Sequence, residues 1–539
     1  MKTFTTRFRV ACLAACYVAS AGYAGAVQAD SDTSQQIDAL KQQVNDLTKK
    51  IDDLSKKQEA VAAAPAPAQT QTTLSKSDET LLHSALEFLK SNEFYGNIDV
   101  SVDDATKGWK KSYSEGGPGG APTSPVGKTG WLPGISTNAT YFGLRGKHSL
   151  GGDTNLIYQL ETQVDVTAMP GTSNNNSASS SVVKGGLASR TSYLGFANKE
   201  WGSIKAGKGY TPYKVSTDRM NPFNAMLGDY LVIMGNTGGD NRVEFGGYLD
   251  HSIWYESPKL HGFSFNALIS PGQNRAGDDG NIAQGESDCS GGNIPGSGAL
   301  PPACNDGSFG TAYSTNIAYE GPKSFPIYIT TAYELHRSVN RSSDVVGPDA
   351  SNPSSDVVAN DPRDVVNEWA AKIGVQYVFP THTTVSAIWE NLHRSVPEAL
   401  LFQNERSRRG TWLAVTQRIT EMDNVSIGWA HAGRSPGDPG QHNTPTGFNP
   451  DNQANMFTAA FKHNLDKQTM LYFNWAYTDN HSAAHYDLGA GPHGLKTDCH
   501  DASTLAAFDP TTGTVTGDGP RCFAGGKLMG VSVGVNYKF

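Results

Sequence analysis

The sequence predicts an all-β fold: a sixteen-stranded antiparallel transmembrane β-barrel, preceded by an N-terminal α-helical coiled coil. Three observations predict it. First, from Met529 to Phe539 the residues Met529, Val531, Val533, Val535, Tyr537 and Phe539 alternate with Gly530, Ser532, Gly534, Asn536 and Lys538. A side-chain period of two puts the first set on a lipid-suited face and the second on a small, polar face. Second, about sixteen segments of this period can be placed after Phe94, joined by links that are short and long in turn. Third, mean hydropathy is only −0.43 and no long apolar run follows the N-terminus. Helical spanning needs ~18 or more such residues in a row, whereas barrel strands alternate and keep mean hydropathy low.

Residues 1–29 read as an export signal, with Lys2, Arg7 and Arg9 before an apolar stretch and Val27-Gln28-Ala29 at the cleavage site. Leu13-Ala14-Ala15-Cys16 also has the form of a lipoprotein processing box, but that would leave a very short signal. Over 30–64, Ile37, Leu40, Val44, Leu47, Ile51, Leu54 and Val61 follow a three-four spacing with Gln58 at one core position, the seam of a periplasmic coiled coil. Its core residues nominally favour a parallel dimer. A Pro/Ala linker covers 65–76, and an amphipathic helix is expected over 77–92, with Leu81, Leu82, Ala85, Leu86 and Leu89 on one face.

The barrel is expected over 93–539. Its strands are Phe94 to Val102, Asn138 to His148, Leu156 to Val166, Ser189 to Asn198, Ser203 to Tyr210, His251 to Ser257, Gly262 to Ser270 and Pro326 to His336. They continue with Trp369 to Phe379, Thr383 to Asn391, Thr411 to Thr420, Val425 to Ala432, Met456 to Asn464, Met470 to Thr478 and the terminal strand. Short links such as 199–202 and 465–468 against long ones such as 271–310 and 479–526 are what a barrel shows between a periplasmic and an outer rim.

The formal charge is −9, more acidic still once Lys2, Arg7 and Arg9 leave with the signal, so nucleic acid is not an expected partner. Cys289, Cys304, Cys499 and Cys522 remain after the signal. An even count in an exported chain suits disulfides, by neighbourhood Cys289 with Cys304 and Cys499 with Cys522, one of three possible pairings. Gly530-Val531-Ser532-Val533-Gly534 matches G-x-S-x-G by letter, yet that motif needs a strand-to-helix turn and these residues are mid-strand. The Gly127-Lys128-Thr129 stretch lacks the earlier glycine of a phosphate loop, Pro122 standing there. His481, His485, His493, Cys499 and His500 are of ligand type but sit in a Gly/Ala/Asp loop. No cofactor, metal or enzymatic activity is expected.

Three stretches carry a family resemblance. These are Tyr141-Phe142-Gly143-Leu144-Arg145-Gly146 with Tyr158-Gln159-Leu160-Glu161, then Arg190 to Phe196 with Ala206 to Pro212, and His251 to Pro258 with Gly262 to Phe265. With the terminal strand they resemble the trimeric general-porin family of Gram-negative bacteria, particularly its betaproteobacterial branch. Members often carry Arg where Lys208 stands, and the heptad coil is outside the common pattern, resembling a subset of substrate-preferring trimeric porins.

The resemblance implies an outer-membrane homotrimer passing small hydrophilic solutes and ions by diffusion, with a loop after the fifth strand folded into the lumen. By position that loop is about Tyr213 to Gly247, holding Asp218, Arg219, Asp229, Asp240, Arg242 and Glu244. Acids there facing bases on the wall would set a transverse field. Strand alternation proposes Arg145, Lys147, Glu161, Arg190 (opposite in parity to Tyr193), Glu256, Arg406 and Arg408 as wall groups, and the resemblance adds Lys208. The acidic balance leans the expected selectivity towards cations. A channel selective for small organic anions or sugars, or a tether or adhesin that touches the cell wall through the coil, are the alternatives.

Overall fold

In the computed structural model, alternation becomes a continuous wall. The structure describes residues 91–106, 131–164, 166–167, 188, 190–235, 245–271, 310–340, 365–397, 407–436, 451–481, 484, 486–489, 507–509, 514–516 and 527–539. The expected signal, coil, linker and nearly all of the 77–92 helix lie outside the described residues, as do the four cysteines.

The strands are β1 (Asn92–Thr106), β2 in two segments (Trp131–Thr137 and Tyr141–Gly151), β3 (Thr154–Gln163), β4 (Ser192–Asn198), β5 (Gly202–Tyr210), β6 (Tyr248–Glu256), β7 (Phe263–Pro271) and β8 (Thr311–Glu320). They continue as β9 (Ile327–Asn340), β10 (Val365–Val378), β11 (Thr383–Arg394), β12 (Arg408–Arg418), β13 (Asp423–Ala432), β14 (Ala454–Asn464), β15 (Thr469–Asn480) and β16 (Lys527–Lys538). A short hairpin, Ala507–Asp509 with Thr514–Thr516, stands apart from this sheet. Each strand pairs antiparallel with the next, and β16 returns to β1 with Val533 opposite Val102 and Val535 opposite Val100. Backbone bonds of 3.0 and 3.1 Å between Gly96 and Phe539 extend that seam. The sheet is therefore closed, which is what lipid demands of a β-structure whose edges find no water to bond.

Two expectations need correction. Residues 138–148 were expected to run as one strand, but the backbone breaks at 138–140, where Ala139 takes φ +42, and Trp131–Thr137 resumes on the same neighbour. The break is stitched by side chains: Asn138 donates to Ser101 Oγ (2.8 Å) and Tyr472 Oη (3.1 Å), and Asn97 donates to the Ala139 carbonyl (3.0 Å). The strand β8 was not placed at all, although Tyr313, Thr315, Ile317 and Tyr319 give it the same period of two.

Polarity is inverted relative to a water-soluble fold. Val102, Leu194, Ile253, Ile317, Ile427 and Val533 are among the exposed apolar side chains, while Asp99, Ser101, Glu334, Glu368, Asn474 and Ser532 are buried on the inner face. Aromatic contacts gather at both ends of the apolar belt. Phe94 meets Phe142 and Phe539 at 6.1 and 5.7 Å, and Tyr377 meets Phe379 at 4.8 Å, near the short turns. At the other end Tyr333 stacks on Trp369 (6.1 Å) and Trp475 on Tyr477 (6.4 Å). In the 465–468 turn Asp466 accepts from the Gln468 and Thr469 amides, both 2.7 Å, and these hold its carboxyl below the usual carboxylate range.

The long link between β5 and β6 folds inside. It opens with a single helical turn, α1 (Pro212–Val215), in which the Thr211 hydroxyl accepts from the Lys214 amide as a cap. Met220, Phe223, Met226, Tyr230, Ile233 and Met234 then form one buried cluster with Ile388, Trp412, Ala414, Ala430, Met456 and Tyr472 of the inner wall. The wall makes room by being small there: a Cβ at Gly374 would stand 2.8 Å from Met220 Sδ, and one at Gly428 only 2.7 Å from the Phe223 ring. Inward Trp412 departs from the expected small-or-polar pattern of β12 because it supports the loop, donating from Nε1 to the Met220 carbonyl at 3.0 Å.

Further along, the loop is latched to charge. Glu390 accepts from the Gly235 amide (3.0 Å), Tyr213 Oη (3.1 Å) and Arg408 Nη1 (3.3 Å), while Arg408 Nη2 donates to the Ile233 carbonyl. Glu334 takes the Gly246 amide at 3.1 Å.

Two substitutions test this architecture. Ile427→Arg puts a cation on the lipid face near mid-strand and is expected to lower the unfolding free energy in lipid or detergent by about 2–4 kcal/mol. Glu390→Gln keeps shape but removes the charge that the latch uses, and is expected to cost about 1.5–3 kcal/mol in denaturant titrations, where Glu93→Gln, in an exposed pair, costs clearly less.

Candidate functional site

What the loop leaves open is bounded by its own surface and by the inner faces of the remaining strands. Charged groups reach that space from both sides, and they do so as pairs more often than singly.

On the β1–β6 side, Arg145 forks onto Glu93 at 2.7 and 2.9 Å and lies 4.6 Å from the Tyr95 ring centre. Lys147 stands exposed on the same face of β2. Glu161 is buried and inward, bonded to Arg190 at 2.6 Å and to Tyr95 Oη at 3.0 Å. Arg190 itself precedes β4, and its guanidinium sits 4.5 Å from the Tyr141 ring. The parity argument for it needs correction: Leu194 and Phe196 are the exposed pair, so Tyr193 turns inward with Gly195, meeting Lys205 Nζ at 4.7 Å and Trp254 edge-on at 5.6 Å. Arg190 reaches the lumen because it stands outside the strand, where parity does not bind it. Glu256 is inward and paired with Lys205 at 2.7 Å. Lys208 sits where β5 and β6 slip register, opposite Ser192, with Nζ 5.8 Å from the Tyr248 ring.

The loop residues part company. Asp229 is folded into the loop's own backbone, accepting from Asn221, Ala225 and Leu231 at 2.8 to 3.0 Å, so it shapes the loop and does not face solute. Asp218 pairs with Lys214 at 2.7 Å. Arg219 is the exposed one: it bonds Gln376 at 3.1 Å, reaches Glu320 at 3.4 Å and covers the Tyr328 ring at 4.4 Å. Asp240, Arg242, Glu244 and Arg406 lie outside the described residues. Arg408 is inward as expected but buried beneath the loop, part of the latch.

Sequence reasoning missed several inner cations. Lys372 donates to Thr217 Oγ1 at 2.7 Å and lies 4.0 Å from the Tyr213 ring centre. Lys462 donates to the Pro222 carbonyl at 2.5 Å, and Arg418 meets His382 Nδ1 at 2.7 Å. Parity with Ala414 and Thr416 marks Arg418 as inward, and parity with Ala460 does the same for Lys462. Arg418 and Lys462, with Lys147, give the short-turn end of the described lumen a group of bases, although the chain as a whole is acidic.

Ser532 is extended in the middle of β16, opposite Asp103 and Asn474, so the strained turn of a hydrolase nucleophile is not formed there. His481 bonds Asp451 at 2.9 Å, while His485, His493, Cys499 and His500 lie outside the described residues.

Comparisons with known proteins agree with this architecture. A family model described as Gram-negative porin matches residues 60–483. An outer membrane porin protein of Bordetella pertussis is 27% identical over 136 residues, which is 25% of this chain and 31% of that protein. The match thus spans about a third of that relative's length. Among solved structures, an anion-selective porin from Comamonas acidovorans superposes with a TM-score of 0.52 at 16% identity, covering 83% of this chain and 99% of that one. A closed sheet, polar within and apolar without, narrowed by its own loop and matched over most of its length by one family model, places this outer-membrane chain in the Gram-negative porin family.

Proposed function

We propose that the barrel is a water-filled channel through which small hydrophilic solutes and ions diffuse passively across the outer membrane. The observation that carries this reading is the inward-folded β5–β6 loop, packed on one wall and leaving Lys147, Arg418 and Lys462 to face the remaining passage. Charge fixed along a narrow, low-dielectric passage acts on every ion that enters it and needs no conformational cycle. Because acids such as Glu93, Glu161 and Glu256 are each matched by a base on the same wall, the local balance favours anions, opposite to the lean of the whole chain. The short turns then face the periplasm and the long links the outside. A homotrimer, as the family resemblance implies, belongs to this reading.

Purified protein inserted into planar bilayers is expected to give stepwise, ohmic conductance, with a reversal potential under a KCl gradient of the sign set by chloride permeation. Absence of conductance would end the channel reading; potassium preference would leave the channel and remove the anion bias.

A further inference from the structure

Beneath the loop, on the short-turn side, the wall of β10–β14 is hollowed into a recess of about 400 Å³, a volume suited to a small solute. Pro222 of the loop lines it along with inward residues of those strands, so a solute coming from the long-link rim meets it after passing the loop. Thr384, Thr416, Ser426 and Asn424 line it with hydroxyls and amides, and Arg418 and Lys462 line it in one row across β13 with Asn424 between them.

Both cations are positioned by bonds that use little of their capacity. Lys462 is steered by the Pro222 carbonyl and Arg418 by His382 Nδ1. A lysine carries three N–H donors and an arginine five, so each keeps donors for a ligand. Thr416 and Ser426 hydroxyls lie 2.9 Å apart, presenting a paired donor-acceptor edge. Of the two acids at the mouth, Asp423 is engaged by Thr420 Oγ1 and His463 Nδ1, both at 2.6 Å, and Glu421 is exposed on the turn. The recess therefore offers positive charge together with a hydroxyl-matching rim, and Val378 and Pro222 supply its apolar side chains.

Resting on the channel reading above, we infer that this recess is a retention site for a small hydroxylated carboxylate of the sugar-acid class. The carboxylate is held between Arg418 and Lys462, and its hydroxyls replace water on Thr384, Thr416, Ser426 and Asn424. Such a site raises the local concentration of its solute past the narrowest point, which speeds flux at low external concentration and saturates at high.

Gluconate is the probe, with glucose as the uncharged control of similar size. In single-channel recordings in KCl, gluconate is expected to reduce the current in a concentration-dependent, saturable way, more strongly when added on the short-turn side, and glucose is not. Arg418→Gln is expected to raise the half-blocking gluconate concentration about tenfold, the loss of one charge-assisted bond, and Arg418→Lys by clearly less. Thr416→Val, which removes one hydroxyl and no charge, gives a smaller increase and carries the test if Arg418→Gln fails to fold. Arg409→Gln, exposed on the outer face of the same strand, leaves the block unchanged. The inference is overturned if gluconate and glucose act alike, or if Arg418→Gln and Thr416→Val both block at the wild-type concentration. A wild-type protein that conducts KCl but shows no gluconate block removes the recess alone, whereas one that conducts nothing removes the channel itself.

Discussion

The constraint on which everything else depends is that a backbone amide facing hydrocarbon has no partner but another strand. Burying one unbonded costs several kcal/mol, so a sheet in lipid must leave no edge. Pairing β16 to β1 removes the last edge, and the alternation along each strand then decides which groups meet lipid and which meet water. Once the wall is closed, the interior is the only place for polar side chains at membrane depth, and the charged pairs of the lumen follow from that.

Closure makes a cylinder but not a sieve. The narrowing comes from a second, quite different arrangement: a cluster of Met, Phe, Tyr and Trp side chains inside a polar lumen, formed between the β5–β6 loop and a wall kept small by Gly374, Ala414, Gly428 and Ala430. Each large side chain buried this way contributes about 1.5–3 kcal/mol, comparable to one charged bond of the latch. Apolar packing gives the loop its position, and Glu390 with Arg408 gives it register, since a carboxylate bonded by Gly235, Tyr213 and Arg408 tolerates little displacement.

Much of the barrel was legible beforehand because a period of two needs no tertiary information. Val531, Val533 and Val535 against Ser532 and Gly534 declare their faces on sight. Parity failed where the chain leaves the strand, as at Arg190, or where an inward position serves the loop, as at Trp412. The break at 138–140 was invisible because its compensation comes from Ser101 and Tyr472, far along the chain. Which acids face solute was not readable either. Asp218 and Asp229 look alike in sequence, yet one meets a lysine four residues earlier and the other caps the loop's own amides.

The interior cluster has a consequence for how the molecule is assembled. Segments from the β5–β6 loop and from the chain after β15 meet inside, with Gly228 bonded to Leu488 and Leu227 packed beside Ala105 of the first strand. The kernel around Leu227 spans the seam, with Ala105 from β1 and Leu528 from β16, so seating the loop and closing the cylinder reinforce each other.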